Sequence, residues 1–88
     1  MSEQQQEEQL RAVLSDAQRR KIAEFCYEPH SSDEIMKGIK TTWGAYSGDQ
    51  LASDLRALET IKAIIYTEDK WKTAEPAKKV LKKYFGIP

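Results

Sequence analysis

The chain has 88 residues, and its 14 basic and 14 acidic side chains leave no formal net charge. A chain of this length builds one domain around one core, which we place at residues 10–88 after a flexible polar segment at residues 1–9. There is no apolar run of membrane-spanning length, and the polar, acidic start is unlike a signal peptide, so we expect a cytoplasmic protein. A single cysteine, Cys26, excludes a disulfide framework and a CxxC site.

The charge is unevenly distributed along the chain. Residues 1–60 contain seven Lys or Arg against eleven Asp or Glu, whereas residues 61–88 contain seven Lys against three acids. This asymmetry suits a domain that offers one basic surface to a polyanion, and it equally suits contacts between copies of the chain.

The first apolar stripes predict helices. Leu10, Val13, Leu14 and Ala17 share one helical face, and a second stripe at Ile22, Phe25 and Cys26 is out of phase with it. The pair Ser15-Asp16 lies between the stripes and is suited to cap a helix start. The pattern predicts two helices, or one kinked helix, ending before Pro29.

A third helix starts at a capping box. Ser31 is followed three residues later by Glu34, and an apolar face follows at Ile35, Met36 and Ile39. We expect this helix to end near Gly38 to Lys40. The glycine-containing stretch 41–48 then predicts a turn or an ordered loop, in which Trp43 and Tyr46 either anchor the loop to the core or stack on a partner.

The second half predicts a helix, a hairpin and a last helix. Ser47 or Asp49 caps a helix with Leu51, Leu55 and Leu58 on one face. The opposite face carries Asp49, Ser53, Arg56 and Thr60. Ile64-Ile65-Tyr66-Thr67 and Trp71-Lys72-Thr73 form a hairpin across the polar Glu68-Asp69-Lys70. The last helix has Pro76 in its first turn, a stripe at Ala77, Val80, Leu81, Tyr84 and Phe85, and Gly86 at its end.

This element order defines the expected fold class. We expect a mainly α domain with a small β-hairpin, of the winged helix-turn-helix type: a three-helix core, a two-stranded wing and extra N- and C-terminal helices. Two strands alone are marginally stable, so the hairpin has to pack on the helices.

Three segments also resemble a known family. Residues 14–22 resemble the opening helix of the ArsR-like winged-helix repressors, and residues 53–59 are similar to their recognition helix in the spacing of Ser53, Leu55 and Leu58. Residues 71–81 resemble the return strand and last helix of many archaeal and bacterial winged-helix proteins. The likeness covers roughly residues 14–85, and it implies a transcriptional regulator that binds double-stranded DNA. The predicted loop at 40–48 is longer than the family's turn, and the family's metal-sensing cysteines are absent from residues 51–58.

A winged helix of this kind would place the helix near 49–60 in the major groove and the wing at 64–73 on the backbone. Arg56 is the candidate for a guanine edge. Lys62, Lys70 and Lys72 are candidates for phosphates, and Ser47, Gln50, Ser53 and Thr60 are candidates for phosphates or bases. Against this, Asp49, Asp54 and Glu59 give the helix a negative balance, as on an ordinary solvated face. The alternative is a winged helix that binds another protein as part of a larger complex.

The first and last helices offer more apolar surface than short helices need. We therefore predict a homodimer, with one monomeric core as the alternative explanation. The predicted interface residues are Leu10, Val13, Leu14, Val80, Leu81, Tyr84 and Phe85. Lys78, Lys79, Lys82 and Lys83 form a basic stripe, either a solvated face or a patch for an acidic partner.

No enzyme, metal or cofactor motif is recognisable. Cys26 and His30 have a chelating spacing, but Pro29 lies between them and further ligands are lacking. A buried structural cysteine and a surface histidine explain them better. We expect no catalytic activity, no metal and no cofactor.

Overall fold

The computed structural model describes residues 2–88, apart from the side chains of Glu3 and Trp43. These residues form five helices and a two-stranded antiparallel sheet. In chain order the elements are α1 (Glu3–Leu14), α2 (Ala17–Phe25), α3 (Ser32–Trp43), α4 (Gly48–Thr60), β1 (Ile64–Thr67), β2 (Lys70–Thr73) and α5 (Glu75–Phe85).

The N-terminal part contains two separate helices, as one of the two sequence alternatives predicted. Asp16 is the N-cap of α2, and its carboxylate accepts hydrogen bonds from the backbone amides of Gln18 and Arg19. However, α1 begins at Glu3, within the segment 1–9 that we expected to be flexible. The Ser2 side chain and Gln5 form a capping box there, and the Gln and Glu residues that follow are good helix formers, so this helix starts without an apolar residue.

Helix α3 is longer than predicted. Its capping box of Ser31 and Glu34 is present, but the helix continues through Gly38 to Trp43, and Gly44 ends it with a φ of 71°. Gly38 lies inside the helix, where α3 packs against Phe25 of α2. A Cβ at this position would lie only 2.8 Å from the Phe25 ring, so the glycine makes room for that ring and does not end the helix. The connection to α4 is therefore residues 44–47, and the long loop predicted at 40–48 is wrong.

The hairpin and the last helix follow the sequence prediction closely. Ile64 pairs with Thr73 and Thr67 with Lys70, and the turn residues Glu68 and Asp69 both have positive φ. Positive φ at both positions is the geometry of the tight hairpin turn that matches strand twist. Gly86 ends α5 in the left-handed conformation.

The hairpin is tied to α2 and to the segment that follows it through hydrogen bonds of β2. His30 and Trp71 form an antiparallel bridge, with N···O distances of 3.0 and 2.7 Å. The amide of Thr73 donates to the carbonyl of Cys26 at 2.8 Å, and its hydroxyl donates to the carbonyl of Ala23. The strand β2 thus lies between β1 and the segment that follows α2.

One core runs through the whole chain. It is formed by apolar side chains from all five helices and from the start of β1, among them Leu10, Leu14, Ile22, Ile35, Ile39, Leu51, Leu58, Ile64, Val80 and Leu81. Helices α1 and α5 pack against each other, and both contact α2. Within residues 2–88, no helix is both long and apolar enough to cross a membrane.

Candidate nucleic-acid interface

One side of helix α4 packs in the core, and the opposite side is exposed to solvent. Leu51, Leu55 and Leu58 are buried, as the apolar spacing predicted. Ser53, Arg56 and Thr60 are exposed on the side away from the core. The Thr60 hydroxyl donates to the carbonyl of Arg56 at 2.8 Å, within the same helix. The outer side of α4 is therefore free to contact a partner.

A buried carboxylate fixes α4 to its neighbours. Asp54 is only 6% exposed. It accepts a hydrogen bond from Nε of Arg19 on α2 at 3.1 Å, and another from the hydroxyl of Tyr46 in the turn before α4. One side chain thus joins α2, the connecting turn and α4.

This arrangement corrects the sequence analysis at Asp54. We counted that carboxylate with the acids of the exposed helix face, but Asp54 lies beside the leucine stripe and faces Arg19. The signal was available, because Asp54 lies three residues after Leu51 and four before Leu58, which is core spacing. The outer side of α4 is accordingly less acidic than predicted, with Asp49 and Glu59 exposed.

Tyr46 is the anchor of the turn. It is buried, as one of the two alternatives for this residue predicted. Burial, together with the hydrogen bond to Asp54, raises the pKa of Tyr46 above its usual range, so the hydroxyl remains a neutral donor. The corresponding prediction for Trp43 lies outside the described residues, since that side chain is not described.

Two of the predicted contact residues at the start of α4 already have partners within the fold. The Ser47 hydroxyl is the N-cap of α4 and accepts from the amide of Gln50 at 3.1 Å. The Gln50 side chain donates to the side-chain oxygen of Gln18 on α2 at 3.0 Å. Both residues are nevertheless exposed, so each would have to share or exchange these bonds on binding a ligand.

The hairpin and the connection that precedes it carry the predicted lysines. Lys62, Lys70 and Lys72 are all exposed, and Lys62 has a φ of 62° in the tight connection from α4 to β1. Lys72 pairs with Ile65 and Lys70 with Thr67, so these four side chains lie on one face of the hairpin. The two turn residues between the strands, Glu68 and Asp69, are acidic and exposed.

The predicted dimer residues are largely covered within the single chain. Leu10, Leu14, Val80 and Leu81 lie in the core, as expected if α1 and α5 complete one monomeric core. Val13 and Phe85 are partly buried against that core. These six residues therefore leave little apolar surface for a second copy.

Tyr84 is the exposed member of this set, and polar groups surround it. Its hydroxyl donates to Glu7 at 3.0 Å, and the guanidinium of Arg11 lies 4.4 Å from the ring centroid. The ammonium of Lys83 also donates to Glu7, at 2.9 Å. These two hydrogen bonds, with Lys83 the larger cause, lower the pKa of Glu7.

The basic stripe of α5 is partly neutralised inside the chain. Lys83 pairs with Glu7, and Lys78 lies 3.6 Å from Glu75 and over the ring of Tyr27. Lys79 and Lys82 are exposed. This pattern favours the solvated face that we weighed against a partner patch.

Cys26 and His30 occupy structural positions. Cys26 is fully buried, and burial raises the pKa of its thiol to about 12. The His30 ring stacks on Phe25 with centroids 4.3 Å apart, and its Nδ1 lies 3.6 Å from Glu34. Among the described residues, no three His, Cys, Asp or Glu side chains are grouped as a metal would need.

Comparison of the chain with protein-family models, with curated proteins and with solved structures gives no significant match. The geometry described above therefore has to carry any functional assignment.

Proposed function

We propose that this chain is a winged-helix protein that binds double-stranded DNA, with α4 in the major groove and the hairpin on the flanking backbone, and that it regulates transcription. The observation that carries the proposal is the two-sided construction of α4. Its inner side is fixed by three leucines and Asp54, while Ser53, Arg56 and Thr60 are left exposed beside a hairpin that bears exposed lysines.

The order and pairing of the elements support the winged-helix assignment. Helix α2 is followed by the His30 bridge, then by α3, a turn at residues 44–47, α4 and the hairpin. The predicted loop at 40–48 was longer than the turn of the winged-helix family, but the connection has only four residues. A turn of this length is typical of a helix-turn-helix unit.

Each exposed group has a role in the proposed complex. Arg56 would donate two parallel hydrogen bonds to a guanine edge, and Ser53 and Thr60 would contact neighbouring bases or phosphates. Lys62 and Lys72 would neutralise phosphates, which releases counterions and makes the affinity fall steeply with salt.

The test is a titration of fluorescently labelled duplex DNA at low and high salt, read by anisotropy. We expect binding that weakens by at least about tenfold between 50 and 200 mM salt. Arg56→Ala should weaken binding to a preferred sequence by about five- to a hundredfold. The control is Lys82→Ala, which removes one exposed cation from α5, a helix that has no part in the proposed complex.

Two results would refute the DNA proposal. One is the absence of duplex binding at low salt, and the other is an equal loss of affinity in the Arg56→Ala and Lys82→Ala variants. The second result would mean that any surface cation contributes equally to DNA binding and that α4 makes no specific contact with the duplex.

A protein partner is the second candidate, and the charge balance of this surface favours it. The exposed groups of α4 and the hairpin include Arg56 and three lysines, but also four acids: Asp49, Glu59, Glu68 and Asp69. A balanced surface of this kind suits a protein interface better than a polyanion. This candidate predicts no duplex binding in the titration above.

A further inference from the structure

Two glutamine side chains join the beginnings of α2 and α4. Nε2 of Gln50 donates to Oε1 of Gln18 at 3.0 Å. Gln18 lies in the first turn of α2, and Gln50 lies in the first turn of α4. The two residues are 32 positions apart in the chain, so no local pattern connects them. The sequence analysis accordingly named Gln50 as a DNA contact and gave Gln18 no role.

The two helices are fixed to each other beside this bond. Arg19 follows Gln18, and its Nε donates to the buried carboxylate of Asp54 on α4 at 3.1 Å. The backbone amides of Gln18 and Gln50 each donate to the N-cap side chain of their own helix, at 2.9 and 3.1 Å. Both glutamines therefore extend from backbone that is held in place, and the bond between them orients the Gln50 amide.

This bond leaves a defined set of groups on Gln50. An amide side chain has two N–H donors and one oxygen that accepts. One N–H of Gln50 is bound to Gln18, and within the described part of the chain neither the second N–H nor Oε1 has a partner. Gln50 is exposed, so one donor and one acceptor are open to a ligand.

Gln50 lies where a recognition helix contacts base edges. The N-terminal residues of such a helix make these contacts, and Gln50 belongs to the first turn of α4. Ser53, three residues later, is its neighbour on the helix surface and is also exposed. Gln50 therefore borders the outer side of α4, on the flank that faces α2.

From these contacts we infer that Gln50 binds an adenine in the major groove and that Gln18 is the positioning residue that orients its amide. The inference rests on the proposed DNA binding of α4, and it adds one base and one residue from another helix. Gln18 itself does not touch the base. Because it holds the amide before the duplex arrives, Gln50 loses less side-chain freedom on binding.

The free groups of Gln50 match adenine better than other ligands on DNA. Adenine donates from its N6 amino group and accepts at N7, so it satisfies both groups of the amide. In the major groove guanine and thymine present acceptors only, and cytosine presents a donor only. A phosphate oxygen also only accepts, and it would leave Oε1 of Gln50 beside a negative charge.

Selection from a randomised duplex library, followed by anisotropy titrations of the selected duplexes, tests the inference. We expect the wild-type chain to select adenine at one position, where any other base weakens binding by about five- to a hundredfold. Gln50→Ala should abolish this preference. Gln18→Met removes the acceptor at similar side-chain length and should reduce the preference by about two- to tenfold, while the base preference that depends on Arg56 is unchanged.

Further variants separate orientation of the amide from a general effect on the fold. Gln18→Glu keeps an oxygen that accepts from Nε2 of Gln50. It should retain the preference for adenine, although its negative charge lowers the affinity for every duplex. In the Gln50→Ala background, Gln18→Met should have no further effect on base preference. The matched control is Gln4→Met, at an exposed glutamine of α1, which should behave as wild type, and circular dichroism checks the folding of each variant.

The outcomes distinguish this inference from the proposed function. A wild-type chain that binds no duplex refutes the DNA proposal and the inference with it. A chain that binds duplex without an adenine preference, or with one that Gln18→Met leaves unchanged, overturns the inference while the DNA proposal stands. Equal losses in Gln18→Met and Gln18→Glu, or a loss spread over all base positions, would also overturn it, because Gln18 would then only support the fold.

Discussion

At the scale of single residues, Asp54 has the most consequential position. Its carboxylate accepts from Arg19 on α2 and from Tyr46 in the turn, and both bonds are shielded from solvent on the Asp54 side. The exposed positions of α4 depend on how this helix is rotated and held. Asp54 therefore acts on the candidate interface as a positioning residue, without touching it.

Replacement of this carboxylate should cost stability. We expect Asp54→Asn to lower the free energy of unfolding by about 1–3 kcal/mol, since a neutral amide replaces the charged acceptor of Arg19 and leaves only one oxygen where Arg19 and Tyr46 now donate to two. Urea unfolding followed by circular dichroism measures this change. The control is Glu59→Gln, an exposed acid of the same helix, which should change the free energy by less than about 0.5 kcal/mol. Equal effects of the two substitutions would show that the buried cluster does not anchor α4.

The apolar seams of the core could be predicted from residue spacing, whereas this polar cluster could not. Leu51, Leu55 and Leu58 repeat at helical intervals, and such a repeat has few interpretations. The partners of Asp54 lie 35 residues away at Arg19 and eight away at Tyr46. The helical spacing of Asp54 indicates that it faces inward, but no local pattern indicates that Arg19 and Tyr46 are its partners.

At the scale of elements, the connection between α3 and α4 shows how a glycine misleads. Gly38 and Gly44 look alike in the sequence, but they serve different purposes. Gly38 leaves room for the Phe25 ring inside a continuous helix, and Gly44 provides the positive φ that ends it. The first depends on a tertiary contact that the sequence does not display, which explains why the predicted helix end was too early.

Two glycines beside α4 offer a matched comparison. Gly44→Ala should lower the free energy of unfolding by about 1 kcal/mol, because alanine at a φ of 71° is strained although nothing lies within 4 Å of its Cβ. Gly48→Ala also meets open space, but it lies in the first turn of α4 without positive φ. Alanine there should raise stability by up to about 1 kcal/mol. Thermal and urea unfolding of both variants test the pair, and a change of the same sign in both would contradict this assignment of the turn.

At the scale of the whole molecule, α1 and α5 close the domain by packing on each other. Leu10 on α1 and Val80 on α5 are both buried in the core, and at the surface Glu7 joins the two helices through Lys83 and Tyr84. The coarse architecture of helices and one hairpin was predictable, because each element has its own start and stop signals. Their mutual packing was not, since apolar stripes alone do not say whether they meet within one chain or between two.

The hydrogen bonds of Glu7 should make the stability of the domain depend on pH. The pKa of Glu7 is below its ordinary value of 4.5, mainly because of the hydrogen bond from Lys83. Ionised Glu7 therefore stabilises the folded state above the pKa that this residue has in the unfolded chain. This stabilisation is lost as the pH falls through the lower pKa of Glu7 in the folded state. We expect the melting temperature to fall between about pH 5 and pH 3, and Glu7→Gln to flatten that fall. Glu8→Gln, at the exposed neighbouring residue, is the control, and an equally flattened profile there would remove Glu7 as the cause.

The central claim concerns the surface that α4 and the hairpin share, and the salt dependence of duplex binding tests it most directly. Lys72→Ala should reduce the slope of log affinity against log salt by about one, because one phosphate contact and its released counterion are lost. Lys82→Ala on α5 should leave the slope unchanged. If both variants keep the wild-type slope, or if the wild-type chain binds no duplex even at low salt, this surface does not bind DNA.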